Sequence, residues 1–329
     1  MSEQFQAYQI GKSDEGQRCV LTQLSDDDLM EGDVTVDVEY TTLNYKDGLA
    51  LTGRSPVIRK FPLTPGIDFS GTVTESSYSG FSAGDRVILN GFGVGEGHSG
   101  GYAQKARVSG DWLVALPEGL DTRHAMAIGT AGYTAMLSIM ALEDHGIKPG
   151  DGDILVTGAS GGVGSIAVAI LSRLGHRVVA TTGRMNEKDF LLGLGAAEVR
   201  DRADFSDKAR PLGKELWSGA IDVAGGNTLA NVLSQLKYGG AAAICGLAES
   251  MNLPTTVAPF ILRGVSMYGI DSVMAPISRR KIAWQRLASD LDLDLLDSLS
   301  FDLDFADLPQ AAEDILAGKI RGRAVVKVP

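Results

Sequence analysis

Ile154-Leu155-Val156-Thr157-Gly158-Ala159-Ser160-Gly161-Gly162-Val163-Gly164-Ser165 decides the reading of this 329-residue chain. An apolar, β-branched run enters a glycine cluster, and the small apolar residues Ile166 to Ile170 follow as a helix start. Strand, tight glycine turn and helix in that order build an anion site. The turn lets backbone N–H groups approach a pyrophosphate, and the helix N-terminus adds partial positive charge. Glycines also mark ordinary turns, so the context decides, and a second strand at Arg177–Thr181 falls in register. The segment predicts a dinucleotide site.

Downstream, strands alternate with helices. Ile154–Thr157, Arg177–Ala180, Ala220–Val223, Ala241–Cys245 and Val265–Ile270 read as strands, and Thr228–Leu236 as a helix ending before Gly239-Gly240. That alternation predicts a doubly wound parallel sheet. Upstream, short strands are separated by glycine and proline turns. Val34-Thr35-Val36-Asp37-Val38-Glu39-Tyr40 alternates at period two, and Val73-Thr74 and Arg86–Leu89 continue the pattern. The glycine-rich stretch from Gly91 to Gly101 has no amphipathic helix after it, so it reads as a flexible loop of a barrel-like all-β unit. The texture changes near Thr122: Ala125–Leu142 reads as helix, with Gly129 and Gly132 as close-packing points. Beyond Asp271 come a helix bearing Arg279, Arg280 and Lys281, an acidic stretch Asp290–Asp307, a helix at Leu308–Leu316 and a terminal strand Ala324–Val328.

Composition bounds the function classes. A net charge of −11 argues against nucleic-acid or anionic-membrane binding, which needs a basic face. No apolar run is read as reaching the roughly 20 residues that cross a bilayer. The N-terminal Met-Ser-Glu-Gln-Phe-Gln-Ala-Tyr lacks the basic-then-apolar pattern of a signal peptide. Cys19 and Cys245 stand alone beside apolar residues, as small buried hydrophobes in a reducing compartment do. A cytoplasmic protein of about two domains is expected.

Four segments resemble the medium-chain dehydrogenase/reductase superfamily: Pro65-Gly66-Ile67-Asp68-Phe69-Ser70-Gly71, Gly84-Asp85-Arg86-Val87, Gly129-Thr130-Ala131-Gly132-Tyr133-Thr134-Ala135 and the Ala159–Gly164 turn. Within it, Thr42–Ala50, Asp111–Val114, Pro259–Val265 and Gly269–Val273 closely resemble the acrylyl-CoA reductase group. The resemblance covers nearly the whole chain. It implies an α/β protein: a GroES-like β-barrel catalytic domain at 1–124 and 271–329, and a Rossmann doubly wound parallel-sheet domain at 125–270. It also implies a homodimer joined through the edge strand near Val265–Ile270, since an apolar edge wants a partner.

Zinc alcohol dehydrogenases of this superfamily use a Cys near the place of Asn44 and a His-Glu pair where Ile67-Asp68 stands. A catalytic zinc needs three N, S or O ligands. Isoleucine cannot ligate, and His98, His124, His145 and His176 are scattered. No metal is expected. Without a Lewis acid, alcohol oxidation is disfavoured. A C=C bond beside a thioester or ketone is already polarised, and needs only hydride at the β carbon, a proton at the α carbon and a donor for the enolate oxygen.

The second strand ends Val179-Ala180-Thr181-Thr182-Gly183-Arg184. An NAD-specific fold places an acid there for the ribose 2′-OH. Two hydroxyls and a guanidinium stand there instead, and Arg184 can grip a 2′-phosphate. NADPH is the cofactor expected. The resemblance adds Arg202 as a second adenosine-phosphate contact, with Arg200 an open alternative. It also assigns Ser160, Gly161, Gly162 and Val163 to the pyrophosphate, Thr182, Gly183 and Arg184 to the adenosine end, Leu247 and Ile261 to the nicotinamide side, and Ser272 to the closing segment.

Asn44-Tyr45-Lys46-Asp47 falls where the superfamily builds its active site. Tyr45 is expected nearest nicotinamide and substrate, with its phenol bonding the thioester oxygen or relaying the α-carbon proton. Packing alone is the alternative for Tyr45, and water the alternative proton source. Asp47 and Asp68, with Arg323 as partner, read as a network ordering the cleft, since a buried carboxylate needs a partner. For a polyanionic acyl-CoA, Arg54, Arg59 and Lys60, or Arg279, Arg280 and Lys281, could form a basic rim. The expected reaction is NADPH-dependent reduction of a short 2-enoyl-CoA, acryloyl-CoA to propionyl-CoA. Quinone or enone reduction and non-catalytic NADPH binding are the alternatives.

Overall fold

The computed structural model describes residues 4–14 and 16–329. The signal-peptide reading rests in part on residues 1–3, which lie outside these. In chain order, the first part contains β1 (Gln4–Ser13), β2 (Gly16–Ser25), β3 (Val34–Thr42), α1 (Tyr45–Thr52), β4 (Asp68–Ser76), β5 (Arg86–Asn90), β6 (Lys105–Val108) and β7 (Val114–Ala115). Helix α2 (Thr122–His145) follows. Next come β8 (Asp153–Val156), α3 (Gly162–Arg173), β9 (Val178–Thr182), α4 (Lys188–Gly193), β10 (Glu198–Asp201), β11 (Trp217–Asp222), α5 (Gly226–Gln235), β12 (Leu236–Ile244), α6 (Ala258–Arg263) and β13 (Ser266–Gly269). The chain closes with α7 (Ile277–Asp290), α8 (Leu293–Leu299), β14 (Ser300–Asp304), α9 (Leu308–Leu316) and β15 (Arg323–Lys327).

Two compact units result. One holds the residues up to Thr130 with Ser272–Ala288 and Leu296–Pro329; the other holds Ala131–Asp271 and Ser289–Leu295. The first division falls after Thr130 rather than after residue 124. The cause is local: Ala127 and Thr130 bond to Arg323 and Asp68 of the first unit. At Gly129 the α2 backbone leaves helical geometry (φ 50°, ψ −162°). A Cβ there would lie 2.5 Å from an Arg323 Nη atom and 3.1 Å from an Asp68 carboxylate oxygen. Gly129 breaks the helix to let a guanidinium in.

In the first unit the described strands order β14-β15-β3-β4-β5-β7, with β6 also on β3, and β1 and β2 form a separate hairpin. The expected alternation along β3 is overridden: only Asp37 is exposed, because β3 pairs with β15, β4 and β6. Val36, Phe69, Leu89, Leu308 and Val326 are among its core. The Gly91–Gly101 stretch is not a loose loop. Val94 and Glu96 are buried, and Gly95, Glu96, Gly97 and His98 donate main-chain bonds within it.

In the second unit the described strands order β10-β9-β8-β11-β12-β13, all parallel. The order reverses between β8 and β11, the switch point at which such sheets take ligands. Leu155, Val179, Trp217, Ala220 and Leu233 pack its core. β10 escaped the sequence reading, since Glu198-Val199-Arg200-Asp201 is charged and half-buried, as edge strands often are.

α2 is long and apolar enough to cross a membrane by length and composition, contrary to the sequence reading, but 89% of its most apolar window is buried in the protein.

Candidate active site

In the second unit, β8 delivers the chain into the glycine turn. Gly158 has φ +57°, and a Cβ on Gly164 would lie 2.5 Å from the Gly158 carbonyl oxygen. Both positions therefore exclude side chains, one for backbone sign and one for helix-to-strand closeness. α3 starts at Gly162 with its first N–H groups directed at the turn, where an anion is stabilised. Ser160 Oγ and Thr182 Oγ1 lie 3.0 Å apart. Arg184 Nη2 donates to the Ser160 carbonyl oxygen (3.2 Å) and hydroxyl (3.0 Å), and its main-chain N–H donates to Thr182 Oγ1 (3.0 Å). The turn and the end of β9 are thus tied together, with a guanidinium beside both.

Arg200 and Arg202 differ in their surroundings. Arg200 donates to Glu198 (2.7 Å) and lies over the Trp217 ring at 4.9 Å. The Arg202 guanidinium lies 3.0 Å from where a Cβ on Gly183 would be. A Cβ at position 183 would press on that guanidinium, which lies at the end of β9. Leu247 and Ile261 are 58% and 73% exposed, so they are not core residues, and their exposure leaves them available to a ligand.

Asp222, which the sequence reading missed, is fully buried at the end of β11. It accepts from Thr157 Oγ1 (2.7 Å) and Gly225 N (2.7 Å), and burial pushes its carboxyl up to about 6. It fixes Thr157, the residue that follows β8 and precedes the glycine turn. The acid was visible within the segment Ala220–Val223 that reads as a strand; its partner was not.

In the first unit, Asn44 precedes α1. Its main-chain N–H donates to Asp47 Oδ2 (2.9 Å), and its side-chain Nδ2 lies 3.1 Å from both Asp47 Oδ2 and Asp68 Oδ2. Asp47 Oδ1 accepts from Ile67 N (3.0 Å), and Asp68 Oδ2 from Thr130 N (2.7 Å). Arg323 donates from Nε to the Ala127 carbonyl (2.9 Å), from Nη2 to Thr42 Oγ1 (2.7 Å) and from Nη1 to Asn44 Oδ1 (3.4 Å). Asp47, Asp68 and Arg323 are all buried. Asp68 Oδ1 has no hydrogen-bond partner among the described residues.

Burial pushes Asp47 up to about 7; the Asp68 charge adds to this, while the N–H donors of Asn44 and Ile67 oppose it. Asp68 is also raised by burial, opposed first by Arg323. Burial lowers Arg323, opposed by both carboxylates. Two carboxylates face one guanidinium out of water, so the pair titrates as a unit. Next to it, Tyr45 in the first turn of α1 is 50% exposed. Lys46 bonds the buried Glu96 (2.8 Å), which also takes Arg59 (3.0 Å). That contact ties the α1 start to the glycine-rich stretch.

The alcohol dehydrogenase GroES-like domain model matches residues 30–118, and the zinc-binding dehydrogenase model matches 162–289. The chain is 52% identical to acrylyl-CoA reductase AcuI of Ruegeria pomeroyi, over 98% of this chain and 99% of that one. It belongs to the acrylyl-CoA reductase group of the medium-chain dehydrogenase/reductase superfamily. The yhdH oxidoreductase of Salmonella enterica, solved in complex with NADP, superimposes with a TM-score of 0.97 at 52% identity, covering 98% of this chain and all (100%) of that one. Bacillus subtilis yhfP, solved with NAD bound, gives 0.95 at 44%, over 99% and 100%.

Zinc does not fit the residues present, whatever the matched model's description. Ile67 has no donor atom, and the Asn44 amide is engaged with Asp47, Asp68 and Arg323. Among the described residues no group of three or more His, Cys, Asp or Glu could hold a metal. His98, in the glycine-rich stretch, has its ring nitrogens 3.1 Å from the Ser99 carbonyl and 3.0 Å from the Glu31 carbonyl. The basic rim also needs correction. Arg280 is 1% exposed and cannot meet a CoA phosphate. Arg54 pairs with Glu313, and Lys60 lines a surface hollow with His98 and Trp112. Cys19 and Cys245 are free and half-buried, and burial pushes both thiols up to about 12, so neither is a ready nucleophile.

Proposed function

We propose that the protein reduces the C=C bond of a short 2-enoyl-CoA, acryloyl-CoA to propionyl-CoA, with NADPH as reductant. The observation that carries this is the 52% identity to an acrylyl-CoA reductase along 98% of the chain. The residues fit the cofactor: β9 ends without an acid, with Arg184 and Arg202 beside Thr182 and Gly183. Bound NADPH supplies a hydride for the β carbon, and a proton at the α carbon completes the reduction.

The chain's own residues do the rest. Ser160, Gly161, Gly162 and Val163 offer N–H groups to the pyrophosphate, where α3 begins. Thr182, Gly183, Arg184 and Arg202 receive the 2′-phosphate, the guanidiniums by charge-assisted bonds. Leu247 and Ile261 give apolar surface to the nicotinamide, and Ser272 contacts the cofactor from the returning segment. The Tyr45 phenol donates to the thioester oxygen as it gains enolate charge. Asn44, Asp47, Asp68 and Arg323 hold the start of α1, and with it Tyr45. No metal is required, because the thioester already polarises the double bond.

We place the protein in the cytoplasm, which its two free cysteines support. We read it as a homodimer joined through β13. That strand pairs with β12 alone among the described strands and exposes Met267 and Tyr268. The test of the activity is NADPH oxidation with acryloyl-CoA, crotonyl-CoA and a simple quinone side by side. Acryloyl-CoA is expected to be turned over fastest. Turnover of the quinone with acryloyl-CoA inert would replace this reading with a quinone reductase, and NADPH binding without any turnover would leave a binding protein.

A further inference from the structure

Arg280 stands in α7 between Arg279 and Lys281, yet its side chain is 1% exposed. A buried guanidinium persists only when its donors are used. Nε donates to the Ala275 carbonyl (2.9 Å), Nη1 to the Asn90 carbonyl (2.5 Å), and Nη2 to the Ser272 (2.9 Å) and Val273 (2.7 Å) carbonyls. Its guanidinium carbon lies 4.0 Å from the centre of the Phe92 ring, the geometry of a cation–π contact.

Every one of these four acceptors is main chain. The guanidinium therefore specifies where a stretch of backbone lies: Ser272–Ala275 is drawn against the end of β5 at Asn90. Two further bonds lock the arrangement. Phe92 N donates to the Val273 carbonyl (2.9 Å), and Trp284 Nε1 donates to Asn90 Oδ1 (3.1 Å). Asn90 in turn reaches Thr130 Oγ1 (3.3 Å), whose main-chain N–H holds Asp68. Ser272 is the first residue of the first unit after the chain returns from the second. Its carbonyl is fixed within two residues of entry.

We propose that Arg280 is a positioning residue for the cofactor: by holding the Ser272 and Val273 carbonyls, it sets Ser272 where NADPH is met. This rests on the assignment of Ser272 to NADPH made above. Lysine cannot replace it, since a single ammonium has no planar fork to span carbonyls on two segments.

A staple of purely structural effect would lower the melting temperature and leave the affinity of the folded protein alone. The test is therefore NADPH affinity, read by nicotinamide fluorescence on folded protein, for Arg280→Lys, Ser272→Ala and the double variant. Arg280→Lys is expected to raise the NADPH Kd about tenfold, and the double variant by much less than the product of the single effects, since both act through one contact. The KM for NADPH should rise more than kcat falls. An unchanged Kd in folded Arg280→Lys, or effects that multiply independently, overturns the proposal. If Arg280→Lys does not fold, Phe92→Leu removes the ring while keeping the four carbonyls. It should raise the Kd roughly threefold with the same coupling to Ser272→Ala, and no coupling overturns the proposal. Ser272→Ala without effect would remove the Ser272 contact itself, and this inference with it. An effect there without one at Arg280 would remove only the inference. Neither readout needs acryloyl-CoA, so a failure of the proposed reaction remains separately visible.

Discussion

Replacing Arg184 with alanine removes a guanidinium that lies against both the glycine turn and the end of β9. The local backbone should survive, because the Arg184 main-chain N–H keeps its bond to Thr182 Oγ1, and Ser160 keeps Thr182 as a neighbour. What is lost is the charge and its donors. A hydrogen bond to a charged group contributes about 1.5–3 kcal/mol. Against that, Nη2 must release the Ser160 carbonyl and hydroxyl to turn toward a phosphate, at about 1 kcal/mol for neutral acceptors. The side chain is half-buried, so solvent screens part of the remainder. A net loss of about 0.5–2 kcal/mol follows, which is roughly 2- to 30-fold in NADPH Kd. NADH lacks the 2′-phosphate and should weaken by less than about twofold. Fluorescence titrations of both nucleotides at fixed ionic strength measure this, and the NADPH effect should shrink at high salt. Arg202→Ala should act in the same direction, and the double variant should lose its preference. Equal weakening of NADPH and NADH in Arg184→Ala would refute the reasoning, since Arg184 would then shape the turn through Ser160 and read no phosphate.

Tyr45→Phe is expected to lower kcat strongly, about 10- to 100-fold, with NADPH affinity unchanged, and unaltered turnover would remove Tyr45 from the chemistry. The Asp47–Asp68 pair makes stability fall as pH rises. Its carboxyls are raised in the folded protein, Asp47 to about 7, so between about 4 and 7 the folded state binds more protons than the unfolded one. The Asp47 part of that contribution is present at low pH and is lost as pH rises to about 7, and the raised Asp68 carboxyl adds a loss in the same direction. Asp68→Asn can keep a carbonyl at the Oδ2 position and put its amide at the partnerless Oδ1, so it should fold. Thermal melts from pH 5 to 8 should show a flatter decline in this variant than in wild type, and parallel curves would contradict the pair. Gly129→Ala should destabilise by about 3 kcal/mol or more, because its Cβ would displace the buried Arg323 guanidinium. Denaturation midpoints within about 0.5 kcal/mol of wild type would show that the guanidinium has another place to go.

The nucleotide unit was legible because its constraints are local. A glycine turn between a β-branched run and a small-residue helix has one steric reason, which the Gly158 and Gly164 contacts repeat in space. The missing acid at the end of β9 is likewise a one-position fact. Partnerships between distant segments were legible only by kind. Asp47, Asp68 and Arg323 could be grouped as charges needing one another, but nothing in their spacing told that Asn44 would offer one amide nitrogen to both acids. Nor did it tell that Gly129 would interrupt a helix whose composition reads as continuous.

The two buried arginines show where such reading stops. Arg323 follows Gly322 at the start of an apolar terminal strand, so a buried partner was expected for it, and Asp68 supplies the opposing charge. Arg280 sits in an Arg-Arg-Lys run, which reads as an exposed basic rim. Its acceptors include the carbonyls of Asn90, Ser272, Val273 and Ala275, and every residue has a carbonyl, so no side-chain pattern announces those four. A charge partnership between side chains leaves a trace in composition, whereas a bond to a carbonyl appears only when the chain returns on itself. That makes Arg280 a device for placing backbone, and the segment it places is the one to which the cofactor contact at Ser272 is assigned.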